Sequence, residues 1–356
     1  MKPLFISSLN QFAGKNLLVV GLGRKFQKEG YKVGVFKPVG LFPSRVGNVL
    51  TDEDILFFHK ALALEDAPED MCPVVMTDGL IEDILEDHAD HFEQKVMEGY
   101  NRVAKDKDVV IIPGLGWIRS GYFVGIPMTD FIRKIDARVV TVDIPRFLDQ
   151  SIDGMLSVQA LVGENFLGAV FNRLQPGRLE LCDTLVRRYL QKKNIDILGL
   201  IPDDTILSAV SVRELKNALN GEIVCCPEKQ DELVERFGIG AMNVESALRY
   251  LRKMRNKAVI VGGDRSDIQL AALETSTKCL ILTGDLYPDD LILGKAIATG
   301  VPILVVKGDT QSVVEKVEQM LGHISLRAES KVGRAVELVE QKVDFNAVCR
   351  GLGLSR

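Results

Sequence analysis

The run Ser8-Leu9-Asn10-Gln11-Phe12-Ala13-Gly14-Lys15-Asn16 holds, within one turn of chain, the groups that bind phosphate. Small residues let backbone N–H groups wrap an anion, a lysine supplies charge, and the side chain after it can reach a metal ion. Leu4–Ser7 before it has strand character, and Leu17, Leu18, Val19, Val20 and Leu22 after it give a helix an apolar face. Gly14-Lys15 then stand at a helix N-terminus, where the dipole favours an anion. Two positions depart from the usual phosphate loop. Ser8 stands where the first glycine belongs, and Asn16 where a Ser or Thr hydroxyl would hold magnesium. Serine tolerates positive φ poorly, and an amide oxygen is a weaker magnesium ligand than a hydroxyl. An ordinary strand-to-helix turn could carry the same Gly-Lys pair.

Further polar groups punctuate the ends of other apolar runs. They are Phe36-Lys37-Pro38-Val39-Gly40, then Asp52-Glu53-Asp54 opening a helix, then a strand ending in Pro113-Gly114-Leu115-Gly116-Trp117, and then Ala169-Val170-Phe171-Asn172-Arg173. Lys37 could also be a solvated strand end, Asp54 a helix-start carboxylate favoured by the dipole, and Trp117 a packing residue. In the second half, Gly262-Gly263-Asp264-Arg265 and Thr283-Gly284-Asp285 each follow a strand-like run. Ligands prefer that edge of α/β sheets. A structural glycine turn is the plainer account of both.

The elements that would position these groups alternate short apolar runs with helix-length segments. Strands are expected at 4–7, 32–36, 109–112, 139–142, 168–171 and 197–200, which argues for a parallel sheet covered by helices on both faces. A second set of alternating elements runs from about residue 208 to 322, and 332–343 reads as one terminal helix before a loose end. With 356 residues, two domains are expected: 1–207, 208–322, and a C-terminal helix and tail over 323–356. Charged residues are 26% of the chain and the net charge is −5, so neither nucleic acid nor membrane is expected as a partner. Six cysteines without a CxxC pair fit a reducing cytoplasm. The four histidines make no ligand pair, with His88 and His91 in an acidic, helix-like stretch.

In their order, the loop, Lys37, Asp52-Glu53-Asp54, the Pro113 strand end and Asn172 resemble the dethiobiotin synthetase family over residues 3–206. That module is similar to the amino-terminal part of long bacterial phosphate acetyltransferases and to the amidotransferases that make cobyrinic acid diamide. The resemblance implies a P-loop NTPase-like α/β fold that binds ATP or another adenine nucleotide. It implies that Lys15 binds terminal phosphates, Lys37 stabilises the phosphoryl or carbonyl group, Asp54 holds Mg2+ directly or through water, and Asn172 reads the adenine edge. Asp52 could serve in place of Asp54. Where that family has a glutamate magnesium ligand, this chain has Pro113. Together with Asn16, that leaves two metal ligands altered and makes ATP hydrolysis doubtful.

Residues 208–322 resemble the DRTGG domain, a smaller α/β domain that follows the first module in long phosphate acetyltransferases and accompanies CBS domains in some regulated pyrophosphatases. The resemblance implies regulation and subunit contact, hence a homo-oligomer, with Gly262, Gly263, Asp264, Arg265, Thr283 and Gly284 as ligand candidates. The long relatives continue into a catalytic domain while this chain stops at Arg356, so acetyl transfer is not expected of it. The leading expectation is a regulatory or ligand-sensing protein with a degenerate nucleotide site. Two alternatives stay open: an ATP-dependent ligase or amidase-like enzyme activating a carboxylate through Lys15 and Lys37, and a non-catalytic scaffold.

Overall fold

A computed structural model describes residues 3–88, 92–323 and 329–354, so His91 lies outside the described residues. The chain folds as two compact units, Met1–Asp203 with Leu326–Arg356, and Asp204–Ser325.

In the first unit the apolar runs form a parallel sheet of β1 (Leu4–Ser8), β2 (Val33–Val35), β3 (Val109–Pro113), β4 (Arg138–Asp143), β5 (Phe166–Leu174) and β6 (Ile197–Pro202). Their order is β6-β5-β4-β1-β3-β2. All neighbours are parallel, with Leu4 of β1 opposite Ile111 on one side and Arg138 on the other. β1 is buried along its length, as a central strand covered on both faces must be. The chain leaves β1 for β2 and β3 on one side and crosses to β4 on the other. Strand order therefore reverses at β1, and the crevice beyond its carboxyl end is where such sheets hold ligands.

Helix α1 (Lys15–Lys28) follows β1 and buries Leu17, Leu18, Val19, Val20, Leu22 and Phe26. Val339 fills the space that a Cβ at Gly21 would need, so the glycine lets a C-terminal helix, Glu329–Lys342, lie close against α1. A further helix, Phe345–Leu352, follows with the Asp344 side chain accepting from the Ala347 N–H. The reading of 323–356 as one helix and a loose tail is thereby corrected: this segment carries two helices docked in the first unit. Burial explains the difference. Val348 and Leu352 are enclosed, the Phe345 ring centroid lies 4.8 Å from that of Phe26, and the Asp344 N–H donates to the Leu198 carbonyl at 2.7 Å.

The second unit is built on a five-stranded sheet of β7 (Glu222–Cys225), β8 (Arg236–Ile239), β9 (Lys257–Gly262), β10 (Thr277–Thr283) and β11 (Ile303–Val305), in the order β7-β11-β10-β9-β8. Only the edge strand β7 runs antiparallel to its neighbour. Side chains alternate between two cores, as strand geometry requires. Val259, Val261, Leu280 and Leu282 join one core, and Ala258, Ile260, Cys279 and Ile281 the other. Helices cover both faces. Among the described residues no helix is long and apolar enough to cross a membrane.

Candidate functional site

Ser8 is the last residue of β1 and pairs with Val142 of β4. It is not among the residues of positive φ, so the concern about serine at a glycine position does not apply: parallel pairing keeps Ser8 extended. Positive φ falls instead at Phe12 (58°) and Gly14 (118°). At Gly14 the glycine is required twice over, because its φ disfavours any side chain and a Cβ there would collide with the Asn172 amide. The loop is pinned from outside. Asn10 Nδ2 donates to Asp143 Oδ1 at 2.7 Å, and Ser151 Oγ donates to Asp143 Oδ2 at 2.5 Å. Asn172 Nδ2 donates to the Ala13 carbonyl at 2.9 Å, while its Oδ1 accepts from the Arg173 N–H at 2.9 Å. Asn172 therefore braces the loop with both ends of its amide.

Gly14 caps α1, whose first-turn amides have no partners within the helix and are available to an anion. Lys15 Nζ donates to Ser8 Oγ at 2.9 Å. Burial, then the charge of Lys37, push the Lys15 ammonium down to about 8, and Asp54 pulls it part of the way back. Gln11 is exposed at the loop's tip, and Phe12 and Asn16 are half-buried.

Lys37 is not a solvated strand end. It is 3% exposed and donates to Asp52 Oδ1 at 2.7 Å and Asp54 Oδ2 at 2.8 Å. Burial lowers its pKa, but the Asp54 and Asp52 carboxylates and their hydrogen bonds outweigh burial and raise it. Asp52 Oδ1 also accepts the Asp54 N–H at 2.9 Å, capping helix α2 (Glu53–Ala61), and its Oδ2 accepts the Phe42 N–H at 2.9 Å. Asn16 Nδ2 donates to Asp54 Oδ1 at 2.9 Å.

These contacts do not fit magnesium. Asp54 offers one oxygen to an ammonium and the other to an amide N–H, and Asn16 presents its nitrogen to the carboxylate. Pro113, opposite Ile6 at the end of β3, has no side-chain atom to give a metal. Among the described residues no group of three or more His, Cys, Asp or Glu could hold a metal ion. The arrangement can take phosphate on Gly14, Lys15 and the start of α1, with the Lys37 ammonium paired to Asp52 and Asp54. Trp117, 63% exposed after β3, and Phe147, 64% exposed after β4, lie past the two strands that flank β1, so neither is a core packing residue.

In the second unit, Gly262 ends β9 and the Arg265 N–H donates back to its carbonyl at 3.0 Å. Gln269, fully buried, donates to the Gly262 and Gly263 carbonyls, both at 3.1 Å. Arg265 Nε reaches Asp267 Oδ1 at 3.1 Å, and Asp264 is exposed. The neighbouring turn is tied to the first through the Gly263 N–H and the Thr283 carbonyl at 3.0 Å. It is tied to the next turn through the Gly284 N–H and the Gly308 carbonyl at 2.8 Å. All six candidates thus share the carboxyl edge of the sheet. Asp143, Ser151 and Gln269 escaped sequence reasoning; Asp143 could have been found as a carboxylate closing the strand beside β1.

Residues 2–211 match the family described as AAA domain, and residues 214–320 match the DRTGG domain. The chain is 24% identical over 381 residues to a phosphate acetyltransferase of Pseudomonas aeruginosa, covering 100% of this chain and 53% of that protein. It is 23% identical over 373 residues to a phosphate acetyltransferase of Synechocystis, covering 96% and 50%. The chain spans about half the length of the curated relatives it matches. Among solved structures, MinD of Aquifex aeolicus is 18% identical with a TM-score of 0.32, covering 58% of this chain and 84% of that one. The CBS and DRTGG domains of the regulatory region of a Clostridium perfringens pyrophosphatase, complexed with its activator diadenosine tetraphosphate, are 21% identical with a TM-score of 0.29. They cover 38% of this chain and 68% of that one.

Proposed function

The chain belongs to the AAA domain family over residues 2–211 and carries a DRTGG domain over 214–320, and from that premise we propose a regulatory protein that binds an adenine nucleotide without turning it over. Its likeness to part of the phosphate acetyltransferases supports a regulatory module of that kind, with the phosphate loop as nucleotide site and the second unit sensing a ligand or joining subunits into a homo-oligomer. The observation that carries the reading is Lys37 Nζ at 2.7 Å from Asp52 and 2.8 Å from Asp54. Phosphoryl transfer by such loops relies on magnesium bridging the transferred group. Here the carboxylate expected to hold it is neutralised from within, while Gly14, Lys15 and the start of α1 keep their phosphate-binding chemistry. Six cysteines without a CxxC pair support a reducing, cytoplasmic setting.

Calorimetric titration of ATP, ADP and AMP, with phosphate release followed in parallel, tests this reading. Saturable binding without release is the expected result. No binding of any of the three up to millimolar concentration would sink it, and so would steady phosphate release abolished by Lys15→Ala.

A further inference from the structure

Beside the phosphate loop lies a cluster of arginines that the nucleotide reading leaves unused. Strands β4 and β5 pair in parallel, Asp143 opposite Phe171, and Arg146 and Arg173 follow just beyond those two positions. Arg178 joins them, its Nη2 donating to the Arg146 carbonyl at 3.3 Å. Arg173 is tethered to the loop through one side chain, because Asn172 holds the Arg173 N–H and the Ala13 carbonyl at the same time.

Two features of Arg173 are unfavourable for stability alone. Its φ is 55°, a left-handed conformation uncommon for a residue with a side chain and one that concentrates at ligand sites. Its guanidinium is half-buried, and burial lowers its pKa most, with Asp203 raising it part of the way back and the Arg146 charge lowering it by less. Asp203 is held elsewhere, its carboxylate accepting from Gln175 Nε2 at 3.1 Å and its N–H donating to the Leu174 carbonyl at 3.0 Å. Among the described residues neither the Arg173 nor the Arg146 guanidinium is closed by an ion pair. Crowded guanidinium forks with no carboxylate in direct contact match a dianion such as a phosphate monoester.

We propose that Arg173, Arg146 and Arg178 form a second anion subsite beside the phosphate loop, which takes a phosphomonoester carried on the sugar of the bound nucleotide. This rests on the nucleotide reading above and names its ligand class more narrowly: a nucleotide phosphorylated on the ribose as well as at its 5′ end. The 5′ phosphates go to Gly14 and Lys15, and the Asn172 side chain sets the arginines one residue's reach away, beyond the tail and toward the sugar.

The test is calorimetry on the full chain with ADP, AMP, adenosine 2′,5′-bisphosphate and adenosine 3′,5′-bisphosphate. One of the bisphosphates is expected to bind about tenfold or more tighter than AMP, as charge-assisted hydrogen bonds to a dianion would provide. In Arg173→Gln and in Arg146→Gln the ratio of bisphosphate to AMP affinity is expected to fall close to one. Arg146 is exposed, so its variant tests the subsite even if Arg173→Gln folds poorly. ADP binding with both bisphosphates no tighter than AMP would overturn the subsite and leave the nucleotide reading standing. A ratio retained in both variants would also overturn it. Failure of ADP and of both bisphosphates to bind would overturn both readings together.

Discussion

Lys37 and Asp54 form a buried ion pair of 2.8 Å, and Asp54 gives its other oxygen to the Asn16 amide. The lysine also holds Asp52 at 2.7 Å, so one ammonium serves two carboxylates in a dry setting. Such a group favours its charged state, and the raised pKa means that its contribution to stability is complete at neutral pH. That contribution is lost only as pH rises through the folded value, above the ordinary lysine range.

Replacing Lys37 by Met leaves Asp52 and Asp54 enclosed without their cation. Removing one partner of a buried pair costs about 3–5 kcal/mol, and Lys37→Met is expected to lose stability of that order in denaturant unfolding. Two bare carboxylates should also acquire an affinity for a divalent cation, so millimolar magnesium or calcium should restore part of the loss in the variant and none in the parent. Equal stability of parent and variant would contradict the pairing.

Lys15 titrates the other way. Its folded pKa is about 8 against 10.5 for an unperturbed lysine, so the unfolded chain holds more protons between those values. Its contribution therefore becomes more favourable as pH rises from about 8 to 10.5, and its full penalty is present below about pH 8. A bound phosphate favours the ammonium and reverses this. ADP binding at about pH 9 should take up a fraction of a proton, read from calorimetry in two buffers of different ionisation enthalpy, and Lys15→Gln should abolish the uptake.

Gly14 is held at φ 118°, with the Asn172 amide in the space a side chain would need. Gly14→Ala should destabilise the first unit by about 1–3 kcal/mol and abolish ADP binding. Adding Asn172→Ala removes the collision but not the backbone strain, so only part of the stability should return on thermal denaturation.

The Gln269 side chain donates to both carbonyls of the Gly262-Gly263 turn. Gln269→Leu removes the donor from both carbonyls, of which Gly262 keeps the Arg265 N–H, and should cost the second unit about 1 kcal/mol. Hydrogen exchange should show faster opening of β9 and β10, with the six strands of the first unit unaffected.

Much of this was legible in the sequence because it is local. The strand, loop and helix over 4–28 follow from apolar spacing, and the parallel sheet follows from alternation of elements. Lys37 and Asp54 stand out as candidates from their order along the chain. Their bond to each other could not be read, because it depends on how the segment from Gly40 to Asp52 folds back, and a lysine at a strand end usually meets water. Ser8 departs from the expectation that a phosphate loop's first glycine needs positive φ, because strand pairing continues through that residue and positive φ falls at Phe12. The second C-terminal helix and the docking of both were not legible for a related reason. The partners of Val339 and Phe345 are Gly21 and Phe26, more than three hundred positions earlier in the chain.

The central claim is that an internal lysine stands in for the metal ion, so that nucleotide binds without magnesium and is not consumed. The direct measurement is the affinity of the full chain for ADP by calorimetry, once with EDTA and once with millimolar magnesium. Equal affinities within about twofold are expected, since both Asp54 oxygens are engaged, one by Lys37 and the other by the Asn16 amide nitrogen. Magnesium-dependent tightening of about tenfold or more would mean that Lys37 yields its place to the ion, and would contradict the account.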